Sequence, residues 1–180
     1  RLLPPQAVLR LGDGDAAQAL GRQVRLETAN RTPRLDAPVV AGLQEALLHL
    51  VRNAAAHGIE PETVRRAAGK PTEGCIRVRI AHSRGRLRVA CEDDGGGIDV
   101  EAVHRAAVTK GWLASNSAMQ FDMARAIQLL LRGGVTTTRA ATEMSGRGIG
   151  LDIVRAGVAR LGGELAIEST PGRGTVVTLD

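Results

Sequence analysis

The sequence predicts a two-layer α/β sandwich in which a mostly antiparallel sheet carries its helices on one face. Strand-like alternation occurs in two pairs of segments, at about 75–92 and 164–179, and each pair is joined by a tight turn, as in β-hairpins. Two longer segments, about 37–57 and 149–161, have apolar residues at helical spacing and must cover one side of the sheet. Because the strands arrive in pairs and do not alternate with helices, a dinucleotide-binding fold is not expected.

The first half of the chain contains one early strand, one long helix and one hairpin. The alternating segment "QVRLET" (23–28) predicts the strand. Asp36 can cap the start of the helix over about 37–57, and Gly58 can end it. Residues 59–74 form a polar excursion. The hairpin strands follow at about 75–81 and 86–92, across the turn "HSRGR".

The second half of the chain contains helices and a second hairpin. A helix is predicted near 100–110, and helical potential lies around 119–131 within the long stretch 111–145. The helix over about 149–161 ends at two glycines. The hairpin strands "ELAIES" and "TVVTL" then flank the turn "TPGRG".

Length and composition indicate one globular domain without membrane insertion. The chain has 180 residues, of which 43% are hydrophobic and 24% charged, as in soluble domains. No apolar run approaches the ~20 residues that cross a bilayer, and no signal-peptide pattern opens the chain. The chain starts on Arg1 and stops directly after a strand-like run. We therefore expect a domain that belongs to a longer protein.

The two cysteines indicate a reducing location. Alternation places Cys91 on the apolar face of its strand and Cys75 on the opposite face, pointing out. A disulfide between them is therefore not expected, and a cytoplasmic location fits.

The basic charge does not by itself indicate nucleic-acid binding. The formal net charge is +5, and 22 of the 24 basic residues are arginines. The chain has one Phe, one Trp and no Tyr, so the aromatic surfaces of single-strand binders are missing. No Cys/His spacing is typical of a zinc finger. Nucleic acid is not an expected partner, whereas arginines that meet the phosphates of a small ligand or an acidic partner remain possible.

A polar stripe follows one side of the first long helix. Glu45, His49, Asn53 and His57 lie four positions apart, so in a helix they form one slightly slanted row. The row is either a solvated face or a surface that meets a ligand, and one amphipathic helix alone does not decide between the two.

The end of the second hairpin strand carries a carboxylate and three glycines. Alternation keeps Asp93 on the core-facing side, with Cys91, and sends Asp94 to the other side. A buried carboxylate needs a hydrogen-bonding partner. The glycines at 95–97 remove side chains at the same place, so that a flat ligand can lie against backbone. Such an arrangement can recognise adenine through its exocyclic amine, although acidic glycine-rich turns are common.

Two further glycine-rich segments are either ordinary turns or parts of a ligand-binding site. The segment "SGRGIG" (145–150) leads into a helix, where free N–H groups suit phosphate, but it matches neither a P-loop nor a dinucleotide fingerprint. In "GRGT" (172–175), alternation turns the hydroxyl of Thr175 inward.

Taken in order, the four segments resemble the ATP-binding domain of the superfamily that holds gyrase, Hsp90, MutL and histidine kinases. The segments "LLHLVRNAAAHGIEP", "RRAAGKP", "EDDGGGID" and "SGRGIGLDIV" resemble one branch, the chemotaxis kinase CheA. The resemblance covers about 23–180 and implies the Bergerat-type ATP-binding fold over that range. Residues 1–22 then correspond to the junction from a preceding dimerisation region.

The resemblance also implies roles for individual residues. Asn53 would hold Mg²⁺, and His49, His57 and Arg52 would approach the phosphates of ATP, with His49 as a candidate catalytic proton acceptor. Asp93 would bind the adenine amino group. The other implied ATP-binding residues are Gly95, Gly97, Arg105, Lys110, Gly146, Arg147, Gly148, Gly150, Leu151 and Thr175.

The sequence departs from the CheA pattern at several positions. Ala56 replaces the acidic residue that usually precedes the second histidine, and Ala102 and Ala106 stand where basic residues are frequent. The segment "LRGGVTT" (131–137) lacks both aromatics of the family's "F-x-P-G-F-S-T". These departures favour nucleotide binding over turnover.

The resemblance therefore implies a kinase domain that transfers the γ-phosphoryl group of ATP to a histidine on a separate phosphotransfer domain, and through it to a response regulator. It also implies a homodimeric parent protein that meets receptors through a coupling-protein (CheW-like) domain. The alternative is a non-catalytic nucleotide-sensing module with an altered lid. An ATPase of the gyrase or MutL type is disfavoured by the sequence around Asn53.

Overall fold

The computed structural model describes residues 23–28, 37–83, 85–114, 121–132 and 151–180. Within these ranges the chain forms strands β1 (Val24–Thr28), β2 (Gly74–Ser83), β3 (Arg86–Asp93), β4 (Leu165–Thr170) and β5 (Gly174–Leu179). The helices are α1 (Ala37–Asn53), α2 (Glu62–Ala67), α3 (Val100–Thr109), α4 (Met123–Arg132) and α5 (Leu151–Arg160). One π-helical turn, Ala54–Gly58, continues α1. The result is the α/β sandwich that the sequence predicts.

The described strands form one sheet in the order β1-β2-β3-β5-β4. Strand β1 pairs with β2 in parallel, and the three other pairings are antiparallel. The register sets Cys91 opposite Val78 on one side and Val177 on the other. Because the central strands pair across the two hairpins, the end of β3 lies between β2 and β5.

The main core fills the space between α1, α5 and one face of the sheet. Alternate residues of the central strands point into it, as the period of two requires. The buried residues of this core include Leu47 and Leu50 of α1, Val154 of α5, Ile76 and Val78 of β2, and Val89 and Cys91 of β3. Helices α3 and α4 pack on each other in a second, smaller core around Val103, Ala107, Ala126 and Leu129.

Two of the helix starts follow from local capping, and the structure departs from the sequence prediction at two helices. The helix predicted over about 37–57 is α-helical only to Asn53 and continues as the π-turn Ala54–Gly58. Asp99 accepts from the N–H of Ala102 and so caps α3, and Asp122 accepts from the N–H of Arg125 at the start of α4. The polar excursion over 59–74 contains the six-residue helix α2, which the sequence prediction did not include. Its sequence has no apolar period, and the residue that it buries is Arg65.

Both cysteines are free, as predicted. Cys91 belongs to the core, and burial raises the pKa of its thiol to about 12. Cys75 lies on the other face of the sheet, but the prediction that it points out to solvent is wrong, because it is only 9% exposed. Arg77 lies over it and places Nη2 at 3.9 Å from its Sγ.

Residues 1–22, for which the sequence predicts a junction, lie outside the described residues. The described helices include none with the length and apolar character needed to cross a membrane.

Candidate functional site

The C-terminal end of α1 meets the end of β3 through a π-helical turn. The N–H of Ile59 donates to the carbonyl of Ala54 at 2.8 Å, which closes the wide turn. The carbonyl of Gly58 then accepts from the N–H of Gly96 at 3.0 Å. This bond fixes the end of the polar helix against the glycine loop that follows β3.

Asp93 is a buried carboxylate at the last position of β3, as alternation predicts. It is 6% exposed, and its Oδ1 accepts from the N–H of Gly95 at 3.0 Å. Desolvation by burial raises its pKa to about 6, against the lowering effect of hydrogen bonds from the backbone of Gly95 and Thr175. The nearby charges of Asp94 and Glu60 raise this pKa further. Among the described residues no cation pairs with Asp93, so its oxygens keep capacity for an incoming donor.

Glycines surround this carboxylate because side chains would not fit. A Cβ on Gly58 would lie 2.9 Å from Cγ of Asp93, and a Cβ on Gly95 would collide with the carbonyl oxygen of Gly58. On the other side, Gly174 has φ +113 and packs against the main chain of Asp93. The three glycines come from three separate segments, and together they bring backbone to the carboxylate from three directions.

The loop after Asp93 is also fixed to the second hairpin. Gly97 has φ +76, and a Cβ there would lie 2.7 Å from the carbonyl oxygen of Thr170. Ser169 Oγ accepts from the N–H of Ile98 at 2.8 Å and lies 3.1 Å from Oγ1 of Thr175. The carbonyl of Gly96 accepts from the N–H of Gly172 at 2.8 Å. The structure thus brings Gly95, Gly97 and Thr175 together at the end of β3.

The polar stripe of α1 lies outside the apolar core. His49 and Asn53 are half-buried, whereas Glu45, Arg52 and His57 are exposed. The side chain of Asn53 makes no capping hydrogen bond to the turn that follows it. His57 lies in the π-turn that follows α1, and the next residue, Gly58, packs against the Asp93 carboxylate. The helix therefore runs from the buried carboxylate out along a polar surface, which suits a ligand with a flat end and a charged end.

The other predicted site residues are exposed, half-buried or outside the described residues. Arg105 is exposed on α3 and lies 3.5 Å from Glu101 Oε2, and Lys110 is exposed at the end of the same helix. Leu151 is half-buried at the start of α5. The predictions at Gly146, Arg147, Gly148 and Gly150 lie outside the described residues.

A group of charged residues that the sequence patterns do not predict contacts the same loop. Arg65 donates to Asp94 and Glu60, and Lys70 donates to Glu60. Burial by itself would raise the pKa of Glu60, but hydrogen bonds, above all from Lys70, lower it. The available signal was that Lys70 is one of only two lysines in an arginine-rich chain.

A cleft of about 80 Å³ lies elsewhere, between α1 and α5, and is lined by residues that include Glu45, Ala46, Ile153 and Arg160. Ligand pockets usually measure ~300–1,000 Å³. The cleft is therefore too small for a nucleotide.

Comparison with known proteins identifies the family. Residues 39–180 match the family described as "Histidine kinase-, DNA gyrase B-, and HSP90-like ATPase". The chain is 36% identical over 165 residues to a gliding motility regulatory protein of Myxococcus xanthus, and this match covers 92% of the chain and 21% of the relative. It is 34% identical over 165 residues to the chemotaxis protein CheA of Rhizobium meliloti, covering 92% and 22%. The chain thus spans about a fifth of the length of these relatives.

Solved structures show the same fold. The histidine kinase domain of the blue-light activated histidine kinase EL346 from Erythrobacter litoralis has a TM-score of 0.54 at 20% identity, covering 98% of this chain and 59% of that one. Full-length ShkA, solved in complex with AMPPNP, has a TM-score of 0.57 at 17% identity, covering 99% and 30%. The fold and the match over residues 39–180 agree, and the chain belongs to the histidine kinase-, DNA gyrase B- and HSP90-like ATPase family.

Proposed function

We propose that this domain binds Mg²⁺–ATP at the end of β3 and transfers the γ-phosphoryl group to a histidine on a separate phosphotransfer domain. The observation that carries the proposal is the Asp93 carboxylate, which is buried, surrounded by glycine backbone and without a cationic partner among the described side chains. A carboxylate in that state is costly for the fold, which favours a role in binding.

Asp93 is the proposed receptor for the exocyclic amine of adenine. Its Oδ1 is held by the N–H of Gly95, so the carboxylate is oriented before ligand arrives. With a pKa of about 6, the group is mainly ionised at pH 7 and accepts hydrogen bonds. Gly95 and Gly97 would let the base lie against backbone, and Thr175, bonded to Ser169, would stand at the far side of the base.

The stripe on α1 is the proposed phosphate and metal surface. Asn53 offers a side-chain oxygen that the helix does not use for capping, and His49, Arg52 and His57 lie on or beside the same row. Among the described residues, no group of His, Cys, Asp and Glu side chains could hold a metal by itself. This fits Mg²⁺, which usually takes one or two protein oxygens together with phosphate oxygens and water. When bound, Mg²⁺ would neutralise phosphate charge and fix the orientation of the phosphates.

The remaining proposed contacts complete the phosphate side of the site. Backbone N–H groups at a helix start suit phosphate, which supports a role for the segment that leads into α5, with Gly146, Arg147, Gly148, Gly150 and Leu151. Arg105 and Lys110 are exposed cationic side chains, and we propose that they contribute positive charge to the phosphate side of the site.

In the proposed reaction, a nitrogen of the acceptor imidazole attacks the γ-phosphorus of ATP. A bond forms between this nitrogen and phosphorus, the bond from phosphorus to the β–γ bridging oxygen breaks, and ADP leaves with the electron pair. The proton on the other imidazole nitrogen is lost, and His49 is the candidate that accepts it. Such transfer depends mainly on positioning and charge stabilisation, and these are what the helix and the glycine loop can supply.

The proposed setting is that of the CheA relatives. The acceptor would be a histidine-phosphotransfer domain, which then passes the phosphoryl group to a response regulator. A coupling-protein (CheW-like) domain and receptors would act through a homodimeric, cytoplasmic parent protein in a chemotaxis-type pathway. His104 packs edge-to-face against Phe121 at 5.0 Å between ring centroids, which disfavours it as an acceptor within this domain.

A nucleotide-sensing module is the second candidate. It is favoured by the segment 131–137, which lacks both aromatic residues of the family pattern. In that case the site binds ATP or ADP and changes a contact with a partner, without phosphoryl transfer.

One experiment separates the two functions. The domain is mixed with Mg²⁺ and γ-labelled ATP, together with a phosphotransfer domain from a CheA-type protein, and labelled protein is tested for acid lability. A kinase produces acid-labile label on the acceptor, and the Asn53→Ala variant does not. Saturable nucleotide binding without label would support the sensor, and the absence of binding would contradict both.

A further inference from the structure

A cluster of four charged side chains contacts the loop that follows Asp93. We call it the Arg65 cluster; its members are Glu60, Arg65, Lys70 and Asp94. Arg65 is fully buried and Lys70 is 18% exposed. The two cations and two anions balance, so the cluster adds no net charge beside the buried carboxylate. Its position between α2 and the end of β3 raises the question of what it holds in place.

Arg65 uses its whole guanidinium group inside the protein. A guanidinium has five N–H donors in a rigid plane, and Arg65 makes five hydrogen bonds. The acceptors are Pro71 O at 2.7 Å, Glu60 Oε2 at 2.9 Å, Asp94 O at 3.2 Å, Glu73 O at 3.3 Å and Asp94 Oδ2 at 2.9 Å. Lysine offers three donors from a single nitrogen and cannot replace this planar set.

Lys70 is directed at the backbone of the same loop. Its Nζ donates to Asp94 O at 3.0 Å, to Gly95 O at 2.7 Å and to Glu60 Oε1 at 2.7 Å. All three ammonium donors are therefore satisfied. Two of the three bonds go to successive carbonyl groups directly after Asp93, and they fix the direction of the chain there.

One peptide group connects the cluster to the buried carboxylate. The carbonyl oxygen of the peptide that joins Asp94 to Gly95 accepts from Arg65 and Lys70, and the N–H of that same peptide donates to Asp93 Oδ1 at 3.0 Å. A trans peptide is planar, so fixing its carbonyl also fixes its N–H. Positive charge at the carbonyl also polarises the group and strengthens its N–H as a donor.

We infer that Arg65 and Lys70 are positioning residues for base recognition, which act on Asp93 through the peptide between Asp94 and Gly95. They hold the N–H of Gly95 on the carboxylate and thereby set the direction of its free lone pairs. The inference rests on the proposed function, in which that carboxylate accepts from the exocyclic amine of adenine. The cluster then determines how strongly the site prefers an adenine base.

The test uses a nucleotide pair that differs at the recognised group. Inosine triphosphate lacks the 6-amino group of ATP and presents an oxygen there, whereas its phosphates and ribose are the same. The full 180-residue chain, its Lys70→Met variant and an Arg66→Met control are titrated with each nucleotide by calorimetry. Arg66 is a matched control because it lies next to Arg65 on α2 but its side chain is 71% exposed, and within the part of the chain that the structure describes it pairs with Glu62 alone.

The wild-type chain is expected to bind ATP roughly tenfold or more tightly than inosine triphosphate, since one charge-assisted hydrogen bond differs. Lys70→Met is expected to weaken ATP binding and leave inosine triphosphate binding nearly unchanged, so that the preference falls to about threefold or less. Arg66→Met should keep the wild-type preference. The three hydrogen bonds of Lys70 go to Glu60, Asp94 and Gly95, which are not residues of the main hydrophobic core. Its replacement should therefore free the loop after Asp93 without unfolding the domain. If Lys70→Met does not fold, Lys70→Gln provides the same comparison, and Lys70→Arg should restore the preference.

Two results would overturn the inference. Equal weakening of both nucleotides by Lys70→Met would show a merely structural role, and an unchanged preference would show no role at the base. A failure of the proposed function looks different, because the wild-type chain itself would then bind neither nucleotide or show no preference between them.

Discussion

The buried carboxylate of Asp93 should leave a signature in the pH dependence of stability, and Asp93→Asn isolates it. Burial raises its pKa from 3.8 to about 6. A difference of about 2.2 pK units corresponds to about 3 kcal/mol, at ~1.36 kcal/mol per unit. The side chain is only 6% exposed, so solvent screening does not reduce this figure much.

The sign of the effect follows from proton uptake. Between pH 4 and 6 the folded chain binds more protons at this site than the unfolded chain, so the free energy of unfolding falls as pH rises through that range. Well below the unfolded pKa of 3.8, Asp93 is protonated in both states, and its burial costs no ionisation free energy. Above pH 6, Asp93 is ionised in the folded state, which then carries the full cost of burying the charge. Asparagine does not ionise, so the variant lacks this slope.

Urea unfolding of wild type and Asp93→Asn at pH 4, 5, 6 and 7.5 measures the difference directly. The free energy of unfolding of the variant should gain about 2.4 kcal/mol relative to wild type between pH 4 and pH 7.5. The change is smaller than the full 3 kcal/mol because the unfolded carboxyl group, with a pKa of 3.8, is already more than half ionised at pH 4. Other carboxylates, such as Glu27 and Asp180, have lowered pKa values, but they cancel in the comparison. Parallel stability curves for the two proteins would refute the assignment of a buried, ionising carboxylate at this position.

Three further variants test other parts of the site. Gly58→Ala places a Cβ 2.9 Å from the carboxyl carbon of Asp93 and should weaken ATP binding, measured by calorimetry, tenfold or more. In the control Gly96→Ala, the added Cβ would lie 3.5 Å from its nearest neighbour, and ATP binding should change little. Arg65→Met should lower the free energy of unfolding by about 3–5 kcal/mol in urea, because it removes a fully buried guanidinium together with the five hydrogen bonds that it donates. Arg66→Met should change it by less than about 0.5 kcal/mol, and equal losses would contradict the structure of the cluster. Asn53→Ala should abolish the effect of Mg²⁺ on ADP binding while keeping metal-free binding, and an unchanged Mg²⁺ effect would remove Asn53 from the metal site.

The elements that sequence analysis predicts well are those with a clear period. Alternation along β3 correctly sends Asp93 toward the core, because strand geometry alone decides which face a residue occupies. The same parity sends Asp94 to the other face, where the structure adds an ion pair with Arg65 at 2.9 Å. That partner is 29 positions away in the chain, and no local pattern predicts such a distant contact.

The parts that sequence analysis misses depend on tertiary contacts. At the π-turn that ends α1, the carbonyl of Gly58 accepts from the N–H of Gly96, and neither segment by itself carries a signal for this contact. The burial of Cys75 likewise depends on Arg77 lying over it. The resemblance to CheA supplied the family and the candidate residues, and the structure shows how Gly58, Gly95 and Gly174 enclose the carboxylate.

The most direct test of the account is a crystal structure of the chain with Mg²⁺ and a non-hydrolysable ATP analogue. In that structure the adenine amino nitrogen should lie ~2.7–3.2 Å from a carboxylate oxygen of Asp93, with the phosphates toward Asn53. A nucleotide bound elsewhere, for example over the cleft between α1 and α5, or an adenine turned away from Asp93, would contradict it.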